Sequence, residues 1–239
     1  MNPSAPTELA PWWQLCDDAC AAGLAVRGAF HPSPDEFRPG VTADVGTCVL
    51  LGFTGSVQWD HFTRSPEAAD GAPDPLDRWS RRVIDALAVR CNAVAVYPSG
   101  VPTVPFQRLA LRCEPVHPSP IGLLIHPDWG LWHAYRGALL MRARIALPTA
   151  VRADSPCTQC AAKPCLDTCP VDAFHMGRYD VAACRRHVAS EAGAQCREGG
   201  CLARRACPVG SEYRYVAAQA RFHMEAFLVA GRRGGGKDA

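Results

Sequence analysis

Residues 157–170 read CTQCAAKPCLDTCP, and Cys184, Cys196, Cys201 and Cys207 follow, the last again before a proline, Pro208. Within the run, Cys157, Cys160, Cys165 and Cys169 are separated by two, four and three residues, with Pro170 directly after the fourth. A cubane iron–sulfur cluster is held by four soft thiolates, and a tight loop can supply several of them at once. Eight cysteines in this pattern therefore predict two [4Fe-4S] clusters. Structural zinc is the competing reading, because it also takes four thiolates in pairs two to four residues apart. The two cysteine–proline steps and the run of four favour iron–sulfur.

The run resembles that of two-cluster ferredoxins, in which the cysteine before proline ligates the other cluster and the chain crosses between sites. That crossing groups Cys157, Cys160 and Cys165 with Cys207, and Cys169 with Cys184, Cys196 and Cys201. The second and third cysteines stand four residues apart here rather than two, so residues 161–164 are expected to lengthen that loop. The gaps between Cys196, Cys201 and Cys207 are also wide.

At 239 residues the chain is long enough for one large domain and a small one. Nearly half of it is apolar, a fifth is charged and the formal net charge is +2, an ordinary soluble composition that does not point to nucleic acid. No stretch reaches the length of a membrane helix. The opening MNPSAPTELAPWWQL lacks the basic start and apolar core of a secretory signal. Together with the cysteine usage, this predicts a reducing, cytoplasmic setting rather than disulfides. The pairs Arg185–Arg186 and Arg204–Arg205 are candidates for steering an acidic redox partner. Of the other cysteines, Cys48 and Cys91 read as buried hydrophobes; Cys16, Cys20 and Cys113 show no base or resolving partner.

Before the cysteines, apolar runs predict strands over 45–53 and 92–97, with an amphipathic helix over 77–90 between them. Trp79, Val83, Ile84, Leu87 and Ala88 share its inward face, giving a strand–helix–strand unit. A helix is expected over 105–113, and strands over 121–126 and 131–145, the second bending or bulging at Gly137. Helices are predicted over 180–192, capped by Asp180, and over 212–230. The fold class is α/β (α+β). Residues 1–148 form the body, 149–210 the ferredoxin-like domain and 211–230 a helix packing on the body, with 231–239 disordered.

Residues 121–140, IGLLIHPDWGLWHAYRGALL, resemble a stretch shared by cobalamin-trafficking CblC-type proteins and epoxyqueuosine reductases, both of a nitroreductase-like superfamily. The segment from Asp74 to Asp77 and its helix resemble the CblC type, while the cysteine-rich tail resembles the reductase. The resemblance implies a nitroreductase-like, CblC-like body that binds a corrinoid, cobalamin, beside the clusters. It names His117, His126, Trp132, His133 and Arg136 as pocket candidates, although each also has an ordinary structural reading. No catalytic side chain stands out. The turn-rich PVHPSP at 115–120 departs from the reductase pattern, and few residues remain for a tRNA-binding repeat extension. The first expectation is thus an iron–sulfur redox protein that takes electrons from a partner protein and passes them to a cofactor or substrate in the body. An epoxyqueuosine-reductase-like enzyme and a plain ferredoxin-type carrier are the alternatives.

Overall fold

The computed structural model describes residues 12–33, 44–99, 104–175 and 177–234. The chain is a mixed α/β protein that divides into two compact units interleaved along the sequence. The first comprises Met1–Phe53, Asp60–Glu114 and Ala134–Val151, and the second Thr54–Trp59, Pro115–His133 and Arg152–Ala239. Where the sequence suggests a single cut near Pro148, the chain enters the cysteine-bearing unit three times.

In the first unit, helix α1 (Trp12–Ala21) leads into β1 (Ala25–Phe30) and β2 (Thr47–Thr54). The short helices α2 (Trp59–Thr63) and α3 (Pro66–Ala69) precede α4 (Pro75–Arg90), which is followed by β3 (Ala93–Val96) and α5 (Phe106–Cys113). After β4 (His117–Pro118) and β5 (Leu124–Ile125) of the second unit, β6 (His133–Met141) completes a four-stranded sheet in the order β1-β2-β6-β3. All eight residues of β2 are buried, which its continuous apolar run demands of a central strand. The predicted strands at 45–53 and 92–97 both exist but are not neighbours, because β6 lies between them. Sequence proximity favours adjacent pairing only as a tendency, and here a later strand takes the central place.

Helix α4 buries Leu76, Trp79, Ser80, Val83, Ile84, Leu87 and Ala88, and Trp79 meets the rings of Phe53 and Phe62 at 5.7 and 6.1 Å. Its arginines lie on the other face: Arg78 pairs with Asp70 and Arg82 with Glu67. The β3–β6 register from Ala93↔Met141 to Val96↔Ala138 runs without a shift, and the β1–β2 register shifts between Val26 and Gly28. Gly137 allows close packing, since a Cβ there would lie 2.6 Å from Ile84 Cδ1 and 3.1 Å from the Val96 carbonyl. Beyond Met141 the ladder gives way to side-chain bonds: Thr47 Oγ1 donates to the Ala143 carbonyl at 2.8 Å and accepts from the Ile145 N–H at 3.1 Å. The predicted strand over 131–145 is shortened accordingly.

The second unit continues with α6 (Pro156–Gln159), α7 (Pro164–Asp167), the hairpin β7 (Phe174–His175) and β8 (Arg178–Tyr179), and α8 (Val181–Ala189). A 3-10 turn leads to α9 (Ala194–Gly199), α10 (Leu202–Arg205) and finally α11 (Ala217–Gly234). The last helix starts later than predicted and runs through residues 231–234, which the sequence suggested were disordered; 235–239 lie outside the described residues. It packs on α8 and α9. Gln219, fully buried on it, accepts from Ser56 Oγ at 2.6 Å, and Phe222 meets Trp59 edge-on at 5.3 Å. Among the described residues no helix is long and apolar enough to cross a membrane.

The first unit holds a buried ionic cluster. Arg27 Nε lies 2.9 Å from Glu114 Oε1, both side chains are inaccessible, and the Tyr135 hydroxyl donates to the same carboxylate. Burial pushes the Glu114 carboxyl up, against the opposing pull of Arg27 and Tyr135. Removing one partner of such a pair strands the other charge. Arg27→Met is expected to destabilise the protein by about 3–5 kcal/mol in urea unfolding. Arg27→Met combined with Glu114→Leu should recover most of that loss; a single variant as stable as the parent would refute the assignment.

Candidate metal centre

The segment carrying the cysteines is built from short helices and turns rather than long regular elements, which leaves its sulfurs free to face inward. Pro156 and Pro164 open α6 and α7 at their first turns, where a missing N–H costs nothing. The lengthened loop at 161–164 is accommodated by a left-handed Lys163, φ 40°, immediately before α7. Asp180 caps α8 as expected, its side chain accepting from the Ala183 N–H at 2.8 Å, and so fixes the helix that bears Cys184.

The cysteines surround one apolar cluster. Ile121, Ile125, Leu131, Ala173, Phe174 and Ala203 are buried there with Cys165 and Cys207, while Cys157, Cys169, Cys184 and Cys201 pack against it. Burial raises the thiols of Cys157 and Cys165, and further repulsion comes from Cys207, from Cys160 and, for Cys165, from Cys157. Cys207 is raised in the same way, with Cys160 beside it. Burial likewise raises Cys184 and Cys196, which both feel Cys169, and pushes Cys201 up to about 11 with Cys184 and Cys196 beside it. The structure thus brings Cys157, Cys160, Cys165 and Cys207 into one neighbourhood and Cys169, Cys184, Cys196 and Cys201 into another. These are the groups that chain crossing between sites generates.

The Ala173 N–H donates to Cys169 Sγ at 3.3 Å. The backbone at Leu202 beside Cys196, at Ala203 and Arg204 beside Cys201 and at Val209 beside Cys207, and the Tyr179 side chain beside Cys184, pull those thiols down against the burial that raises them. Among the described residues no three His, Cys, Asp or Glu side chains converge on the position of a single metal ion.

The five residues expected to line a corrinoid pocket are divided. His117, His126, Trp132 and His133 belong to the second unit and Arg136 to the first. A ring nitrogen of His117 bonds the Ala153 carbonyl at 2.8 Å, and Nε2 of the buried His133 donates to the Leu124 carbonyl at 3.0 Å. His126 Nδ1 accepts from the Asp128 and Trp129 N–H groups at 3.1 and 3.4 Å, and its ring stacks on Trp129 at 3.8 Å. Arg136 pairs with Asp77 and donates to Ser80 Oγ at 3.0 Å.

Arg204, read from the sequence as a docking charge, is an internal clamp. Its guanidinium lies 4.5 Å from both the Trp132 and Tyr215 rings, and its Nε donates to the Leu131 carbonyl at 3.1 Å. Arg185 similarly covers the Phe227 ring at 4.8 Å. The Arg204–Leu131 bond had no local sequence signal, since it joins residues 73 apart in the chain.

No family model matches the sequence, and no curated protein matches it. Among solved structures, the chain is similar to an epoxyqueuosine reductase with a tRNA-Tyr epoxyqueuosine-modified stem loop, at 11% identity and a TM-score of 0.48, with 86% of this chain and 66% of that one covered. It is similar to the epoxyqueuosine reductase of Streptococcus thermophilus at 12% identity and 0.43, covering 83% and 65% of the two chains. For a reductive dehalogenase described in terms of B12-dependent dehalogenation the values are 13% and 0.48, with coverages of 89% and 35%. The chain therefore spans just under two thirds of the first reductase and about a third of the dehalogenase. Likeness at this level does not carry a reaction from those proteins to this one.

Two glycines let the 126–130 loop lie against the turn after Cys207. A Cβ on Gly130, φ +55°, would fall 1.9 Å from the Val209 carbonyl oxygen, and one on Gly210 would fall 2.4 Å from the Trp129 carbonyl carbon. Gly130→Ala should therefore displace the Cys207 turn and speed thiol labelling of Cys207 in the metal-free protein. Gly122→Ala, also at positive φ but with open space around it, should change that labelling little. Equal labelling in the two variants would contradict the packing.

Proposed function

We propose that the protein is an iron–sulfur redox protein that holds two [4Fe-4S] clusters and moves electrons one at a time. One cluster is held by Cys157, Cys160, Cys165 and Cys207, the other by Cys169, Cys184, Cys196 and Cys201. The observation that carries this reading is a set of eight cysteines, none of them exposed and six of them at one apolar cluster, whose mutual repulsions fall into two quartets, with the Ala173 N–H donating to Cys169 Sγ. As anions these sulfurs repel one another, and burial adds to the cost. A cationic iron core offsets both, and the donors stabilise the negative charge that remains on sulfur. When bound, the clusters supply reversible one-electron chemistry.

The chain's own residues hold and shield such centres. Ile121, Ile125 and Leu131 exclude water from the side where Cys165 and Cys207 lie. Arg204 ties α10, which separates Cys201 from Cys207, to the Leu131 carbonyl and to two aromatic rings. Of the five residues expected to bind cobalamin, His117, His126, His133 and Arg136 are each held by a bond within their own unit, and Trp132 lies under Arg204. No step is assigned to a corrinoid.

Protein prepared and reconstituted without oxygen is expected to hold about eight iron and eight acid-labile sulfide per chain. Cys165→Ala and Cys196→Ala should each lose about half of both. Tightly held zinc without sulfide would reject the reading. Titration with cob(II)alamin separates the cobalamin-dependent alternative: saturable binding with a spectral change would support it, and no change would remove it.

A further inference from the structure

Helix α4 carries a second feature along one edge of its buried face. Steps of three and four residues, from Trp79 through Val83 and Ala86 to Arg90, set a stripe of the helix against a cleft of about 360 Å³. Small-molecule sites begin at about 300 Å³, so the space suits a compact ligand. Ala22, just after α1, and His61 and Ser65, between α1 and α4 in sequence, complete the wall, and all of these residues belong to the first unit. Trp79, Val83 and Leu87 are buried and give the cleft an apolar lining. His61 is pressed onto the turn before β1, since a Cβ on Gly23 would fall 2.4 Å from the His61 Cβ.

The polar groups of the cleft are oriented but not saturated. Arg82 gives Nε and Nη2 to the Glu67 carboxylate at 2.5 and 2.9 Å, which leaves Nη1 with no partner among the described residues. The Arg82 bond holds the Glu67 carboxyl low, at about 2, so the pair is ionised at neutral pH. Arg90 pairs through Nη2 with Asp18. A guanidinium has five N–H groups and one carboxylate engages at most two of them well, so both arginines are fixed by one anion with donors to spare. Ser65 stands at the capping position of α3, yet its side chain caps nothing, and its buried Oγ, near the Glu67 carboxyl, makes no well-aligned hydrogen bond. Arg82 and Ser65 thus meet at one end of the cleft, beside Glu67. Charge-assisted bonds from positioned donors favour an anionic acceptor, and donors already held in place lose little freedom on binding.

We propose that this cleft binds a small organic acid, its carboxylate between Arg82 and the Ser65 hydroxyl and its apolar body against Trp79, Val83 and Leu87. None of the lining residues is a cysteine, so the site stands apart from the cluster reading.

The test is fluorine NMR of the full chain titrated with para-fluorobenzoate. One saturable site per chain is expected, and para-fluorobenzyl alcohol, which keeps the ring without the charge, should bind about tenfold more weakly. Ala86→Phe fills the cleft from an exposed helix position and should abolish binding. Val89→Phe, on the same helix, 82% exposed and outside the cleft, should leave it unchanged. Arg82→Gln combined with Glu67→Gln removes both charges of the pair together, and should weaken the acid about tenfold while leaving the alcohol unaffected. Absence of saturable binding at millimolar probe, binding that survives Ala86→Phe, loss of binding in Val89→Phe, or an alcohol that binds as tightly as the acid would each overturn the inference. Displacement of the probe by an equal concentration of inorganic phosphate would overturn the part assigned to the apolar lining.

Discussion

Repulsion among buried sulfurs is the constraint on which the cysteine-bearing unit depends. Six of the eight thiols gather around one small apolar cluster, and both burial and neighbouring cysteines oppose ionisation there. The Ala173 N–H at Cys169 and the backbone near Cys196, Cys201 and Cys207 work against that penalty. Short helices and turns suit this purpose because they leave backbone N–H groups unpaired within the element, available to a neighbouring sulfur.

What could be read from the sequence follows from how local each signal is. The Asp180 cap depends on contacts three residues apart, and the inward face of α4 on helical repeat, so both are legible. Helix α1 and strand β1 have no such signal: β1 buries only Arg27 and Phe30, three residues apart, which breaks a two-residue alternation, and Arg27 lies against Glu114. An arginine inside a strand reads as a solvated position unless its distant carboxylate is known. Residues 121–126 were expected to be a strand because they are apolar, but only Leu124 and Ile125 pair, and Ile121 is buried in the cluster under the cysteines instead. Apolar character predicted burial and not the element. The gathering of the cysteines was legible because residue type and spacing mark them as a set, whereas the backbone groups around them carry no such mark.

Arginine shows why residue type alone misleads. Arg185 and Arg204 looked like surface charges for a partner, yet each lies flat on aromatic rings inside its own unit. A guanidinium is planar and weakly hydrated, so it can stack on a ring and still donate from its edge, which an ammonium cannot do as well. Arg204 uses both properties at once, with rings on its faces and the Leu131 carbonyl at its edge. The histidines of 117–133 are similar in kind: each was marked by its capacity to bind a ligand, and each has a ring nitrogen bonded to backbone.

The interleaving of the units gives these bonds their larger meaning. A segment limited to residues 149–210 would contain all eight cysteines but not Ile121, Ile125 or Leu131, which supply much of the apolar cluster around them. It would also lack the Leu131 carbonyl and the Trp132 ring that hold Arg204, and the Gly130 surface on which the turn after Cys207 rests. The two-residue hairpin of β4 and β5 and the loop from His126 to Gly130, closed in both directions by backbone bonds, are therefore part of the cysteine framework. Inserting them before β6 makes the central strand of the other unit's sheet continuous with the loop that supports Cys207. Ligand geometry at the sulfurs is consequently set by residues far from them in sequence, which is why the number of cysteines was easier to read than the surroundings that tune them.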